Sequence, residues 1–226
     1  ENNNEEVYDK IMAYYILGTI YSDLKKYDEA EKNYKAGIAD PKVAVRTWSG
    51  RIYVGLASIY LEQKKYDEAI SMNLKGLEIL KKEENMIGES RALNDLGIIY
   101  KRKKEYDKSL SFLLESLKIR ENHRITRFVV SSYIELASLH TELGEYHKAI
   151  EYLAKAEKTA IEIDFRVKLA QVYQDAGDIF KLKGDFKQAL VHYEKLMKLN
   201  EELHKKDVET KIQSLTNEMV KEKEAE

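Results

Sequence analysis

Apolar residues keep helical spacing along most of this chain. Leu93, Leu96, Gly97 and Tyr100 fall at i, i+3, i+4 and i+7, one face of an α-helix. After the polar run Lys101-Arg102-Lys103-Lys104-Glu105 the rhythm restarts with Tyr106, Leu110, Leu113 and Leu117. This unit, two amphipathic helices joined by a short turn, is written five times. Aligned on the aromatic after the turn, the copies fall at Tyr27, Tyr66, Tyr106, Tyr146 and Phe186, with steps of 39, 40, 40 and 40 residues. A fixed period in this range marks stacked repeats, each touching only its neighbours.

The pattern predicts A helices over 5–24, 42–62, 87–103, 125–143 and 165–183, and B helices over 27–39, 66–82, 106–122, 146–162 and 186–205. The repeats run near 5–40, 41–83, 86–123, 124–163 and 164–205, a solenoid over 1–205 followed by a C-terminal helix extension over 206–226. Small residues recur as regularly as large ones. Gly18, Ala57, Gly97, Ala137 and Gly177 stand nine residues before the turn aromatic, and Ala30, Ala69, Ser109, Ala149 and Ala189 three after it. Both positions read as points where the two helices approach closely. Gly144 and Gly184 end two of the turns, where a left-handed residue suits a helix stop. The Lys-Lys turns of the other copies should then be tighter or capped differently.

With one proline and ten glycines, little in the chain breaks a helix. Pro41 suits the first turn of the second A helix. Charged residues form 35% of the chain but the net charge is only −2, which argues against a nucleic-acid partner. The absence of cysteine excludes disulfides and thiolate metal sites and fits a reducing, cytoplasmic setting. No run of 18 apolar residues is available to span a membrane. The polar, acidic start Glu1-Asn2-Asn3-Asn4-Glu5-Glu6 is unlike a signal peptide.

The repeated unit resembles the tetratricopeptide repeat, or TPR. Its pattern W-x2-L-G-x2-Y…A-x3-F appears as Tyr14-x2-Leu17-Gly18-x2-Tyr21…Ala30-x3-Tyr34, and again as Leu93-x2-Leu96-Gly97-x2-Tyr100…Ser109-x3-Leu113. The period of 40 rather than 34 adds about 9 Å of helix per repeat. The resemblance, closest to long-repeat TPR regions of bacterial signalling regulators such as histidine kinases, implies an all-α, right-handed superhelical solenoid of five repeats. It also implies a concave face lined by A helices that binds a protein or peptide. A eukaryotic-type adaptor or co-chaperone-like docking protein is the alternative. The family's carboxylate clamp uses Lys and Asn at set positions, where this chain has Tyr15, Thr19, Val54 and Ser58, so that clamp is absent.

No catalytic constellation appears: there is no phosphate loop and no HExxH, so the chain reads as a non-enzyme without cofactor or metal. His140 replaces the core aromatic of its register and reads as a hydrogen-bonded core histidine. Lys101-Arg102-Lys103-Lys104 reads as a solvated turn, and Trp48 as packing against a lengthened neighbouring helix. From Leu196 the apolar residues Leu199, Leu203, Val208, Ile212, Leu215 and Met219 follow at steps of 3, 4, 5, 4, 3 and 4. That spacing fits either a capping helix or a coiled coil giving a weak homodimer through 196–220.

The register just before the consensus Leu or Ala of helix A holds Ile16, Gly55, Asp95, Glu135 and Asp175. In the family this register faces the groove, so the last three copies would present a ladder of carboxylates, with Asp178 a fourth. Asn94 and Gln174 offer amides to an extended peptide backbone. Arg51 and Arg91, four residues before Gly55 and Asp95, bring positive charge to one end. These eight positions, Arg51, Arg91, Asn94, Asp95, Glu135, Gln174, Asp175 and Asp178, form the candidate partner site, suited to a basic or polar segment.

Overall fold

The first three A-to-B turns are followed at once by acidic residues, Asp28-Glu29, Asp67-Glu68 and Asp107, in the first turn of the next helix. Basic residues gather in the last turns, Lys81-Lys82 and Lys101-Arg102. Both placements favour the dipoles of these helices. A computed structural model describes the backbone of residues 2–39 and 47–225, and the side chains of 9–39 and 48–205. Among the described residues all regular structure is helical: α1 (Asn2–Asp23), α2 (Tyr27–Gly37), α3 (Thr47–Glu62), α4 (Tyr66–Lys82), α5 (Met86–Arg102), α6 (Tyr106–Asn122), α7 (Thr126–Glu142), α8 (Tyr146–Glu162), α9 (Arg166–Leu182) and α10 (Phe186–Ala225). The helices follow the predicted A and B alternation. The expected helical residues 42–46 and the Pro41 cap lie outside the described residues.

The chain forms two compact units, Glu1–Leu139 and His140–Glu226. In the first, α1 pairs with α2, α3 with α4 and α5 with α6; α2 also packs on α3, and α4 on α5. In the second, α9 packs against both α8 and α10. The repeat-to-repeat cores are apolar. One joins Ile11, Ala30, Tyr34, Ile52, Leu56 and Ile59, and the next joins Val54, Leu77, Leu80, Ala92, Leu93 and Leu96.

The close-approach positions are as tight as the pattern implied. A Cβ on Gly97 would sit 2.6 Å from Leu113 Cγ and 3.3 Å from its backbone N, and one on Gly177 would sit 2.5 Å from Tyr193 Cε1. Ser109 answers Gly97 directly, its hydroxyl donating to the Gly97 carbonyl at 2.7 Å.

The Lys-Lys turns correct an expectation. They are neither tighter nor differently capped. Lys25, Lys64 and Lys104 take φ of 57°, 60° and 62°, the same left-handed conformation as Gly144 and Gly184 at 75° and 76°. In each turn the residue after the left-handed one donates back to the carbonyl five residues before it, as Glu105 N does to Tyr100 O at 2.9 Å and Glu145 N to His140 O at 2.8 Å. The left-handed residue donates to the carbonyl three before it, as Lys104 N does to Lys101 O at 2.9 Å. These paired bonds satisfy the last carbonyls of the helix. Glu84, Arg124 and Asp164 close the B-to-A turns in the same way.

Helix α10 runs without a break through the predicted B helix and the tail. Leu199 is 8% exposed and faces the second unit's own core. The side chains of Val208, Ile212, Leu215 and Met219 lie outside the described residues. No described helix is long and apolar enough to cross a membrane.

Candidate partner-binding face

An interior A helix buries most of its circumference and leaves one stripe open. On α5, Leu93 and Leu96 are fully buried, while Ile87, Arg91, Asp95, Ile98 and Arg102, at steps of 4, 4, 3 and 4, follow the uncovered side. The equivalent stripe carries Arg51, Gly55, Ser58 and Glu62 on α3, and Arg127, Ser131, Glu135 and Ser138 on α7. Asp95 and Glu135 therefore both sit on this stripe within the first unit. Arg91 Nε lies 3.9 Å from Asp95 Oδ2. Burial pushes the Asp95 carboxyl up to about 6, against the pull of the Arg91 and Arg120 guanidiniums. Glu135 accepts from Lys101 Nζ at 3.0 Å, and the same ammonium donates to Ser138 Oγ at 2.8 Å.

The other candidates have local partners. Asn94 is buried, and its Oδ1 accepts from Arg120 Nη1 at 3.1 Å. Arg51 lies over the Trp48 ring, 4.8 Å from its centroid, and Trp48 in turn packs on Tyr15 with centroids 5.2 Å apart. In the second unit, Asp175 is half-buried on α9. Gln174 is exposed and donates to Asp178 Oδ2 at 3.0 Å, while Tyr193 donates its hydroxyl to Asp178 Oδ1 at 2.7 Å.

Two cations escaped the reading of the sequence. Arg120, on α6, is 2% exposed and, among the described residues, has no carboxylate within bonding distance. It donates to Asn94 Oδ1, to the Phe128 carbonyl at 3.1 Å, to Ser132 Oγ at 2.7 Å and to the Ser90 carbonyl at 3.3 Å. Burial lowers its pKa to about 10, so it stays charged at neutral pH. The signal was in the register: Leu80 and Ala160 occupy the equivalent positions, and a charge there is out of place. Lys101 corrects the expectation of a solvated turn. It is 6% exposed, and Lys103 reaches across to Asp67 at 2.7 Å. The basic run thus ties repeats together as well as ending a helix.

His140 is a core histidine as expected, with Nδ1 2.6 Å from Glu145 Oε2 and its ring stacked on Tyr152. Trp48 belongs to the core between the first two repeats. A second concavity, of about 370 Å3, opens in the second unit over Ala160, Leu169, Tyr173 and Leu199, with Arg166 and Glu202 paired at its rim at 3.4 Å. Its floor includes the small Ala160 at the register filled by Leu80 and Arg120 elsewhere. Burial pushes the Tyr173 hydroxyl up to about 12. Among the described residues no three His, Asp or Glu side chains are placed to hold a metal ion.

Tetratricopeptide repeat family models match residues 13–39, 48–122 and 128–202. The chain belongs to the tetratricopeptide repeat family. No catalytic family is indicated, and no curated protein matches the sequence. Among solved structures, this TPR chain is similar to BtubC from P. vanneervenii, with a TM-score of 0.75 and 17% identity over 90% of this chain and 84% of that one. It is also similar to a Rap protein solved with competence and sporulation factor, with a TM-score of 0.74 and 17% identity over 84% of this chain and 54% of that one. A third is a signal-transduction ATPase with a TPR sensor from Pyrococcus horikoshii, with a TM-score of 0.72 and 22% identity over 86% of this chain and 31% of that one. At these identities the likeness is one of fold, an all-helical TPR solenoid that serves as a protein-interaction scaffold.

Proposed function

We propose that this chain is the sensor or docking region of a bacterial signalling regulator and binds a peptide or protein segment along the open stripe of its A helices. One observation carries the reading: α5, packed on both sides by its own chain, still leaves Ile87, Arg91 and Arg102 exposed, with Asp95 and Ile98 half-buried between them. A polar stripe edged by apolar residues on a helix that is otherwise buried is surface available for recognition. The Rap protein bound to competence and sporulation factor, and the Rap regulator of plasmid pLS20 bound to the Phr* peptide, support peptide recognition on this fold. Asp95 and Glu135 in the first unit, and Asp175 and Asp178 in the second, favour a basic or polar ligand. The chain acts by binding, not by catalysis, and its lack of cysteine is compatible with the cytoplasm.

The eukaryotic-type adaptor is the weaker reading. At the clamp positions Val54 is buried, Ser58 Oγ donates to the Val54 carbonyl at 3.2 Å and Thr19 Oγ1 to the Tyr15 carbonyl at 2.9 Å, so none of the three presents a cation or an amide. Selection of binders from a displayed peptide library, followed by hydrogen exchange of the complex, tests the proposal. Enrichment of lysine- or arginine-containing peptides with new protection on α5 and α7 is the expected result. Protection confined to the B helices, or no enrichment of any peptide, would overturn it.

A further inference from the structure

The groove between a B helix, the next A helix and the next B helix recurs along the chain, and its contents change with the sequence. Between α4, α5 and α6 it is filled. Leu80 is fully buried there, and Lys81 beside it reaches Glu89 on α5 at 3.7 Å and Glu115 on α6 at 3.4 Å. Between α8, α9 and α10 the registers of Leu80, Lys81, Glu89 and Glu115 hold Ala160, Ile161, Leu169 and Lys195. The plug has shrunk to a methyl group, and an ion-paired surface has become largely apolar. The cavity of about 370 Å3 in the second unit stands at this place, lined by Ala160, Ile161, Leu169, Tyr173 and Leu199. Leu169, Tyr173 and Leu199 are buried, so its walls are held by packing. Pockets of about 300–1,000 Å3 with apolar walls and a few polar groups are the ones that hold small molecules.

The rim decides the charge of the occupant. Asp164, Arg166, Lys195, Lys198 and Glu202 line it, three cations against two carboxylates. Arg166 engages both carboxylates, Asp164 at 2.9 Å and Glu202 at 3.4 Å, so an incoming cation would have to displace it. Lys195 is held by Glu157 at 3.0 Å. Lys198 is exposed, and among the described residues no carboxylate pairs with it. An incoming anion therefore finds an ammonium open at the mouth of an apolar cavity. One ammonium balances one negative charge, which a carboxylate supplies at neutral pH and a phosphate monoester exceeds.

We propose that the cavity between α8, α9 and α10 binds a small amphipathic monocarboxylate, its hydrocarbon part against Ala160, Leu169 and Leu199 and its carboxylate at Lys198. Covering these apolar walls with hydrocarbon supplies the affinity, and the ammonium selects the charge. The site shares no residue with the stripe of the proposed function, so either can fail without the other.

Titration of the full chain with decanoate, followed by methyl NMR, tests this. Decanoate below its micelle concentration should shift the methyl signals of Ala160, Leu169 and Leu199 saturably, along one isotherm. Decanol and decylamine, which share the chain but lack the negative charge, should bind about tenfold more weakly or worse. Lys198→Glu, at an exposed position, should weaken decanoate by about tenfold or more and leave decanol unchanged. Ala160→Leu, which restores the side chain of the second repeat, should abolish the shifts. If that variant loses its circular dichroism spectrum, Ala160→Val replaces it. Three results would overturn the proposal: no saturable shift of these methyls, decanol or decylamine binding as tightly as decanoate, and shifts that survive the filling of Ala160 in a folded protein.

Discussion

Lys25, Lys64 and Lys104 hold a left-handed backbone that costs a side chain with a Cβ about 1–2 kcal/mol. Glycine takes the same conformation at Gly144 and Gly184 without that strain. Lys104→Gly should therefore stabilise the protein by about 0.5–1 kcal/mol, net of the glycine's extra unfolded-state entropy, as read from chemical denaturation. The sequence concealed this because lysine is a poor marker for positive φ, whereas Gly144 and Gly184 announced theirs. Asp95 carries a second residue-scale consequence. Its carboxyl is raised by burial to about 6, so its contribution to stability is present at low pH and is lost as pH rises through 6. Asp95→Asn should match the wild type near pH 4 and exceed it at pH 7 by about 1–3 kcal/mol, flattening the pH dependence between the two. Equal slopes of stability against pH in the two proteins would show that Asp95 titrates normally.

Between elements, the repeats share a backbone plan but not one chemistry. The second repeat closes on Gly50, Val54, Leu80 and Ala92; the third places Ser90, Asn94, Arg120 and Ser132 at the same registers. An apolar plug has been exchanged for a guanidinium held by hydroxyl, amide and carbonyl oxygens. Arg120→Leu leaves those oxygens buried without their donor and should cost about 2–4 kcal/mol in chemical denaturation. Adding Ser90→Gly, Asn94→Val and Ser132→Ala, the second repeat's own set, should recover most of the loss. If the combined variant is as unstable as Arg120→Leu alone, the polar set is not an interchangeable plug. Gly97→Leu tests the close approach of α5 and α6. Leu113 is fully buried and cannot retreat, so overpacking should cost about 1–3 kcal/mol or more. Loss of hydrogen-exchange protection should centre on α4 to α7 and spare α9, because repeats couple to neighbours. The helices themselves were legible from periodicity because nearly every buried position obeys it. Arg120 and Lys101 were not, because a charge on a helix reads as solvated until a neighbouring repeat supplies its partners.

At the scale of the whole chain, the five-fold period gave the helix order and the family before any coordinates, since one unit repeated five times leaves few ways to bury its apolar faces. The candidate partner site was legible only as a register. Asp95 and Glu135 do lie on the open stripe of the first unit, yet Asn94 from the same stretch turns inward to Arg120. A one-residue step around a helix, about 100°, separates surface from core. The proposed function rests on carboxylates of the A helices receiving a basic or polar segment. Its most direct test is the affinity of a selected basic peptide for the wild type and for Asp95→Asn, Glu135→Gln, Asp175→Asn combined, measured by titration calorimetry from low to high salt. The account predicts that the triple variant keeps its fold, binds more weakly at low salt and shows a flatter salt dependence. Equal affinity of the two proteins at low salt would contradict it.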